Sequence, residues 1–65
     1  MKAYQKRVVA EKKALDKKLA SLREFIGSNA FNDPCWAERE RLRQQASAMN
    51  RYSAILESRI AAFKR

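Results

Sequence analysis

From Tyr4 to Ile26 apolar residues return at steps of three, four or seven, as Tyr4, Val8, Leu15, Leu19, Leu22 and Ile26, with Phe25 beside them. Positions so spaced share one side of a helix, so the pattern predicts an amphipathic helix from about residue 2 to about residue 26. A second series, Cys35, Leu42, Met49, Leu56 and Phe63, advances by seven. Ala46, Ser53 and Ile60 lie between its members, and Tyr52 and Ile55 widen the stripe. It predicts a helix from about 34 to about 63. No period-two alternation competes. The single glycine, Gly27, and the single proline, Pro34, mark the one punctuated break. The expected turn covers 27–33, with Gly27 as a left-handed C-cap. Asp33 is the expected N-cap of the second helix and Pro34 its first helical residue.

At 1.5 Å per residue the two helices run to roughly 37 and 45 Å. A short turn folds them back on each other, so the expected fold is all-α, an antiparallel helical hairpin. One helix cannot cover the second stripe from Tyr52 round to Ile60. A second hairpin can, which predicts a homodimeric four-helix bundle, with higher oligomers left open. One residue interrupts the first stripe. Glu11 stands between Val8 and Leu15, and a short turn sets it opposite about residue 49, within reach of Gln45 and Tyr52. A carboxylate facing a seam needs hydrogen bonds or it neutralises. Glu11, Gln45 and Tyr52 are therefore the expected structural polar set that fixes register, with a ligand or switch role for Glu11 as the alternative.

Composition narrows the chemistry. Sixty-five residues make one small domain, and a chain this short gains from a disulfide, a metal or oligomerisation. One cysteine and no histidine leave oligomerisation, and no metal or cofactor is expected. A lone thiol suits a reducing compartment, and no apolar run is long enough for a leader or a membrane span, so a cytoplasmic protein without membrane contact is expected. Without histidine, a glycine-rich phosphate loop or a base for Cys35, no enzyme activity is expected. Cys35 is read as a packing or exposed residue. The net charge is +8, from fifteen Lys and Arg against seven Asp and Glu. That attracts nucleic acid, nucleotides, anionic surfaces or an acidic protein face.

Two sets of residues stand out as candidate sites. Trp36 precedes Arg39 and Arg43 on one side of the second helix, a composition typical of binding anchors and suited to stacking a base and holding phosphate. Tyr4, Lys18 and Arg39 form a candidate anion-binding set, with the lysine run 12–18 otherwise read as a solvated face. Phe31 and Trp36 flank the turn. Phe31 is expected to fold over Phe25 and Ile26 as a plug, and Trp36, one position past the Cys35 stripe, to remain partly exposed, with an inward Trp36 that joins the plug as the alternative.

The stripes and their polar neighbours resemble a family of small phage and prophage proteins named after a protein of a crAss-like phage. The matching residues are Tyr4, Arg7, Val8, Glu11, Lys12, Leu15, Asp16, Lys18, Phe25 and Ile26 in the first helix. Gln45, Met49, Tyr52, Ile55, Leu56, Arg59 and Ile60 match in the second, and the turn does not. The resemblance implies a phage accessory protein and carries no assigned activity. The leading expectation is a helical dimer that binds and inhibits a host or anti-phage defence protein through Trp36, Arg39 and Arg43. One alternative is an oligomeric sponge for cyclic nucleotide defence signals. The other is a basic nucleic-acid-binding module, for which no helix-turn-helix spacing is present.

Overall fold

The computed structural model describes residues 1–63. Helix α1 spans Ala3–Ile26 and helix α2 spans Trp36–Ala62. They pack against each other as an all-helical hairpin 46 Å long and 14 Å across. A 3₁₀ turn, Asn29–Asn32, lies between them. The start of α1 is closed by Gln5, whose Oε1 accepts from the Lys2 backbone N–H at 2.9 Å.

The seam follows alternating steps of four and three. Val8 and Leu19 from α1 are buried, as are Ser53 and the fully enclosed Leu56 from α2. Continuing four residues from Val8 puts Lys12 on the seam and leaves Glu11 outside it. Glu11 is accordingly exposed, and it makes no hydrogen bond to Gln45 or Tyr52. Gln45 turns instead to its own helix, donating to Met49 Sδ at 3.8 Å. The expected register-fixing set is thus replaced by another. Lys12 holds Asp16 at 2.6 Å and reaches Glu57 at 3.5 Å, while the Ser53 hydroxyl donates to Asp16 across the seam.

Register explains the change. Asp16 meets Ser53, Lys12 meets Glu57 and the Tyr4 ring meets Phe63, so Glu11 is level with about residue 58 instead of 49. Two things cause the slip: α2 starts two residues later than its punctuation suggests, and about its first two turns run past the end of α1, since the same register sets Ile26 level with about residue 43. Gly27 is not left-handed: its φ is −83°, and its N–H continues to the Arg23 carbonyl at 3.0 Å. Ser28 then caps the Phe25 carbonyl through both its N–H, 3.0 Å, and its hydroxyl, 2.6 Å. The chain passes into the 3₁₀ turn without needing positive φ anywhere among the described residues.

The second helix also begins later than expected. An N-cap needs extended backbone, and Asp33 is right-handed at φ −70°, ψ −44°, closing the 3₁₀ turn with its N–H on Ala30. Cys35, at φ −63°, ψ 161°, takes the N-cap place. Pro34 therefore precedes the helix, and Cys35 is an exposed cap outside the heptad line.

Candidate functional site

The delayed helix start decides where the turn aromatics go. Drawing the chain through the 3₁₀ turn points Phe31 inward. Its ring is 6% exposed and meets Phe25 edge-on at 5.8 Å. The Arg43 guanidinium covers it at 5.1 Å from the ring centroid. Trp36, at the first position of α2, is 69% exposed. Five residues apart, one aromatic closes the bundle end and the other stands outside it.

Charges on the first turns of α2 are arranged by helical spacing. Arg41 pairs with Glu38 at 2.8 Å and Arg43 with Glu40 at 2.5 Å, both three residues apart. Among the described residues Arg39 has no acidic partner, and its Nε is buried without a hydrogen bond. The structure thus brings Trp36 and Arg39 together one turn apart at the start of α2. Arg43 is on the same helix but is committed twice, to Glu40 and to the Phe31 face. Glu38 in the first turn offsets the helix dipole.

Tyr4 and Lys18 are not joined to this cluster within one hairpin. Tyr4 packs edge-on against Phe63 at 5.7 Å, at the end far from the turn. Lys18 is exposed along the shaft, about 21 Å of helix from Tyr4. The hairpin encloses no cavity among the described residues. A single copy therefore offers a surface and no enclosed pocket, and the candidate anion-binding set does not assemble within it.

Lys12, Asp16 and Ser53 are the polar contacts that the sequence reading missed. The hydrogen bond from Lys12, then that from Ser53, lowers the Asp16 carboxyl below its usual 3.8. The same bond to Asp16 raises Lys12 above its usual 10.5. The signal was present in the spacing, since Lys12 is four residues from both Val8 and Asp16. No helix among the described residues is long and apolar enough to cross a membrane.

An uncharacterized 7.5 kDa protein of enterobacteria phage T4, from the denB–rIIB intergenic region, is 41% identical over 64 residues. The match covers 98% of this chain and 100% of that protein. No solved structure matches. The resemblance to small phage proteins holds at that level, while the link to a crAss-like phage protein has no counterpart in these matches. A sequence model of one family, Sequestin, matches residues 2–62, from the cap of α1 to the last turn of α2. The chain belongs to the Sequestin family.

Proposed function

We propose that this chain is a phage-encoded sequestering protein, which holds an anionic ligand of the nucleotide class stoichiometrically and does no chemistry on it. The ligand class that fits best is the cyclic nucleotides that carry anti-phage defence signals, met in the cytoplasm of an infected bacterium. The observation that carries the reading is Trp36, 69% exposed, one turn from Arg39, which has no acidic partner among the described residues. An exposed indole stacks a base, and an unpaired guanidinium holds phosphate. The net charge of +8 supports it by drawing anions from solution. The family name, Sequestin, supports sequestration over transformation. The working form is an oligomer, with a homodimeric four-helix bundle as its simplest version, because a single hairpin has no pocket to close around a ligand.

Calorimetry with cyclic dinucleotides tests this, using linear mononucleotides as controls. Saturable binding, with the ligand recovered chemically unchanged after the protein is denatured, is the expected result. Absence of heat across a panel of cyclic di- and trinucleotides would reject it.

The same exposed Trp36 also favours a second reading, in which the sequestered partner is a host or defence protein. Tryptophan with arginine is the usual composition of an interface anchor. Recovery of one host protein with the tagged chain from an infected lysate, lost in Trp36→Ala, together with no nucleotide binding, would select it. Binding to any DNA with a steep loss of affinity in salt would instead indicate the nucleic-acid module.

A further inference from the structure

The two sides of the hairpin differ in what they leave free. Lys12 is four residues after the buried Val8 and Glu57 four after the buried Ser53, and their pairing marks one side. The hydrogen bond from Arg23 to Asn50 lies on that side as well. Helical spacing from Ser53 puts Trp36 and Arg39 there too. Lys18 and Tyr52 stand on the opposite side, each one residue before a buried seam residue, Leu19 and Ser53. In an antiparallel pair, equal rotation from the seam gives the same side of both helices. Arg59, seven residues after Tyr52, shares its line along α2.

This opposite side carries free cations beside exposed apolar surface. Tyr52 is 42% and Ile55 53% exposed. Lys18 and Arg59 are exposed, and neither enters an ion pair among the described residues, where the paired cations are Lys12, Arg41 and Arg43. Direction brings the two together. Lys18 is two residues past Asp16, which meets Ser53, and so is level with about residue 51. Side chains on a helix lean toward its own N-terminus. Lys18 therefore leans toward the open end, and Arg59, on the opposed helix, leans toward the turn. Their charged heads converge level with Ile55, where α1 presents only the small side chain of Ala14. The nearest acid on this side, Glu11, is level with about residue 58 and leans away toward the open end.

Two unpaired cations aimed at one point suit a phosphate, which takes a charge-assisted hydrogen bond from each. Tyr52 is three residues from Ile55, about 4.5 Å along the axis, within the span of a single nucleotide from phosphate to base. An exposed ring so placed stacks a base of any sequence. An apolar cover over Tyr52 and Ile55 would crowd two uncompensated cations, whereas a phosphate compensates both.

We propose that this side of the hairpin is a second anion site, which takes a nucleoside monophosphate. Lys18 of α1 and Arg59 of α2 hold its phosphate, and Tyr52, flanked by Ile55, packs on its base. Neither helix supplies the site alone. It rests neither on the Trp36 cluster nor on sequestration, because it uses other residues on the other side of the seam.

Amide-resolved NMR titration with AMP, and separately with inorganic phosphate, tests the site. AMP should saturably shift the backbone amides of Lys18, Tyr52, Ile55 and Arg59 and leave the Trp36 indole N–H in place. Lys18→Gln and Arg59→Gln should each weaken AMP by about tenfold. Lys17→Gln removes the same charge one position away, outside the site, and should weaken it by about twofold at most, through the general field alone. Tyr52→Ala should bring the affinity for AMP down to that for inorganic phosphate. All four positions are exposed, so circular dichroism should show unchanged helix content. Shifts confined to Trp36 and Arg39 would overturn the proposal, as would no saturation with AMP. Equal losses in Lys17→Gln and Lys18→Gln would do the same by showing diffuse charge in place of a site. So would a dimer that Ile55→Glu dissociates and AMP does not, since a second copy would then occupy this side. Failure here leaves the Trp36 reading intact, because the Trp36 indole N–H reports that cluster separately.

Discussion

The two ends of the hairpin are closed in different ways. At the turn, Phe31 is enclosed between the Phe25 ring edge and the Arg43 guanidinium, and the charges balance. At the other end the closure is one edge-on contact between Tyr4 and Phe63, and Tyr4 remains 46% exposed amid uncompensated lysines. The turn end is built as a rigid plug with a spare indole beside it. The open end is built as a positive surface with little packing of its own. Function can therefore be lost at either end by different routes: at the turn by unfolding or by losing Trp36, at the open end by losing field.

Phe31→Ala should show the largest effect. Emptying a ring site this well buried costs about 3 kcal/mol or more, read as a lower denaturant midpoint. Phe63→Ala, at the half-buried end, should cost about 1–2 kcal/mol by lost burial alone. Equal losses at the two positions would break the comparison, because the ends would then be equally packed. Trp36→Ala sharpens it from the other side. An exposed first-turn residue should change stability by no more than about 0.5 kcal/mol, while ligand affinity should fall by about 2 kcal/mol, roughly thirty-fold. A melting midpoint lowered as far as that of Phe31→Ala would make Trp36 part of the plug.

Between the ends, the Lys12–Asp16–Ser53 contacts should give a pH dependence smaller than these effects, since surface ion pairs contribute little. Asp16 has a lowered folded value, so its contribution is full above the usual 3.8 and is lost as pH falls through the lowered one. Lys12 has a raised value, so its contribution is full below the usual 10.5 and is lost as pH rises through the raised one. Stability should therefore plateau between the two and fall on both sides. Asp16→Asn should flatten the acid limb measured by circular dichroism, and an unchanged limb would show that other carboxylates dominate it.

Helix existence and the apolar stripes could be read from the chain because spacing of three and four has one geometric solution. The burial of Phe31 and the exposure of Trp36 match the expectation, although Cys35, whose stripe position was to set Trp36 aside, is itself an exposed N-cap. Register could not be read in the same way. It depends on where α2 comes level with α1 as well as on the turn, and here the 3₁₀ turn with Pro34 and Cys35 delays α2 by two residues while its first turns, as far as Arg43 over Phe31, run past the end of α1. That error moved Glu11 opposite the wrong residues and hid Asp16–Ser53. Placing Lys12 on the seam needed only the four-residue step from Val8, but a lysine is an unobvious seam residue until its long stem and its Asp16 partner are considered together. The separation of Tyr4 from Arg39, by contrast, was legible, since any hairpin of these two helices puts the start of α1 and the start of α2 at opposite ends.

The smallest expected effect concerns Gly27, and it tests the physical account of that turn. If the chain left α1 through a left-handed glycine, Gly27→Ala would strain the backbone and cost more than about 1 kcal/mol. In this fold Gly27 has φ −83°, which alanine adopts freely. A Cβ built there would be 3.5 Å from the Arg23 carbonyl oxygen and 3.8 Å from that of Glu24, ordinary van der Waals contact. The substitution removes glycine's extra freedom from the unfolded chain and leaves the folded contacts unchanged. Gly27→Ala should accordingly be neutral or stabilise by about 0.4–1 kcal/mol, read as an equal or higher denaturant midpoint with unaltered slope. Destabilisation by Gly27→Ala would mean that the chain leaves α1 through a left-handed glycine after all.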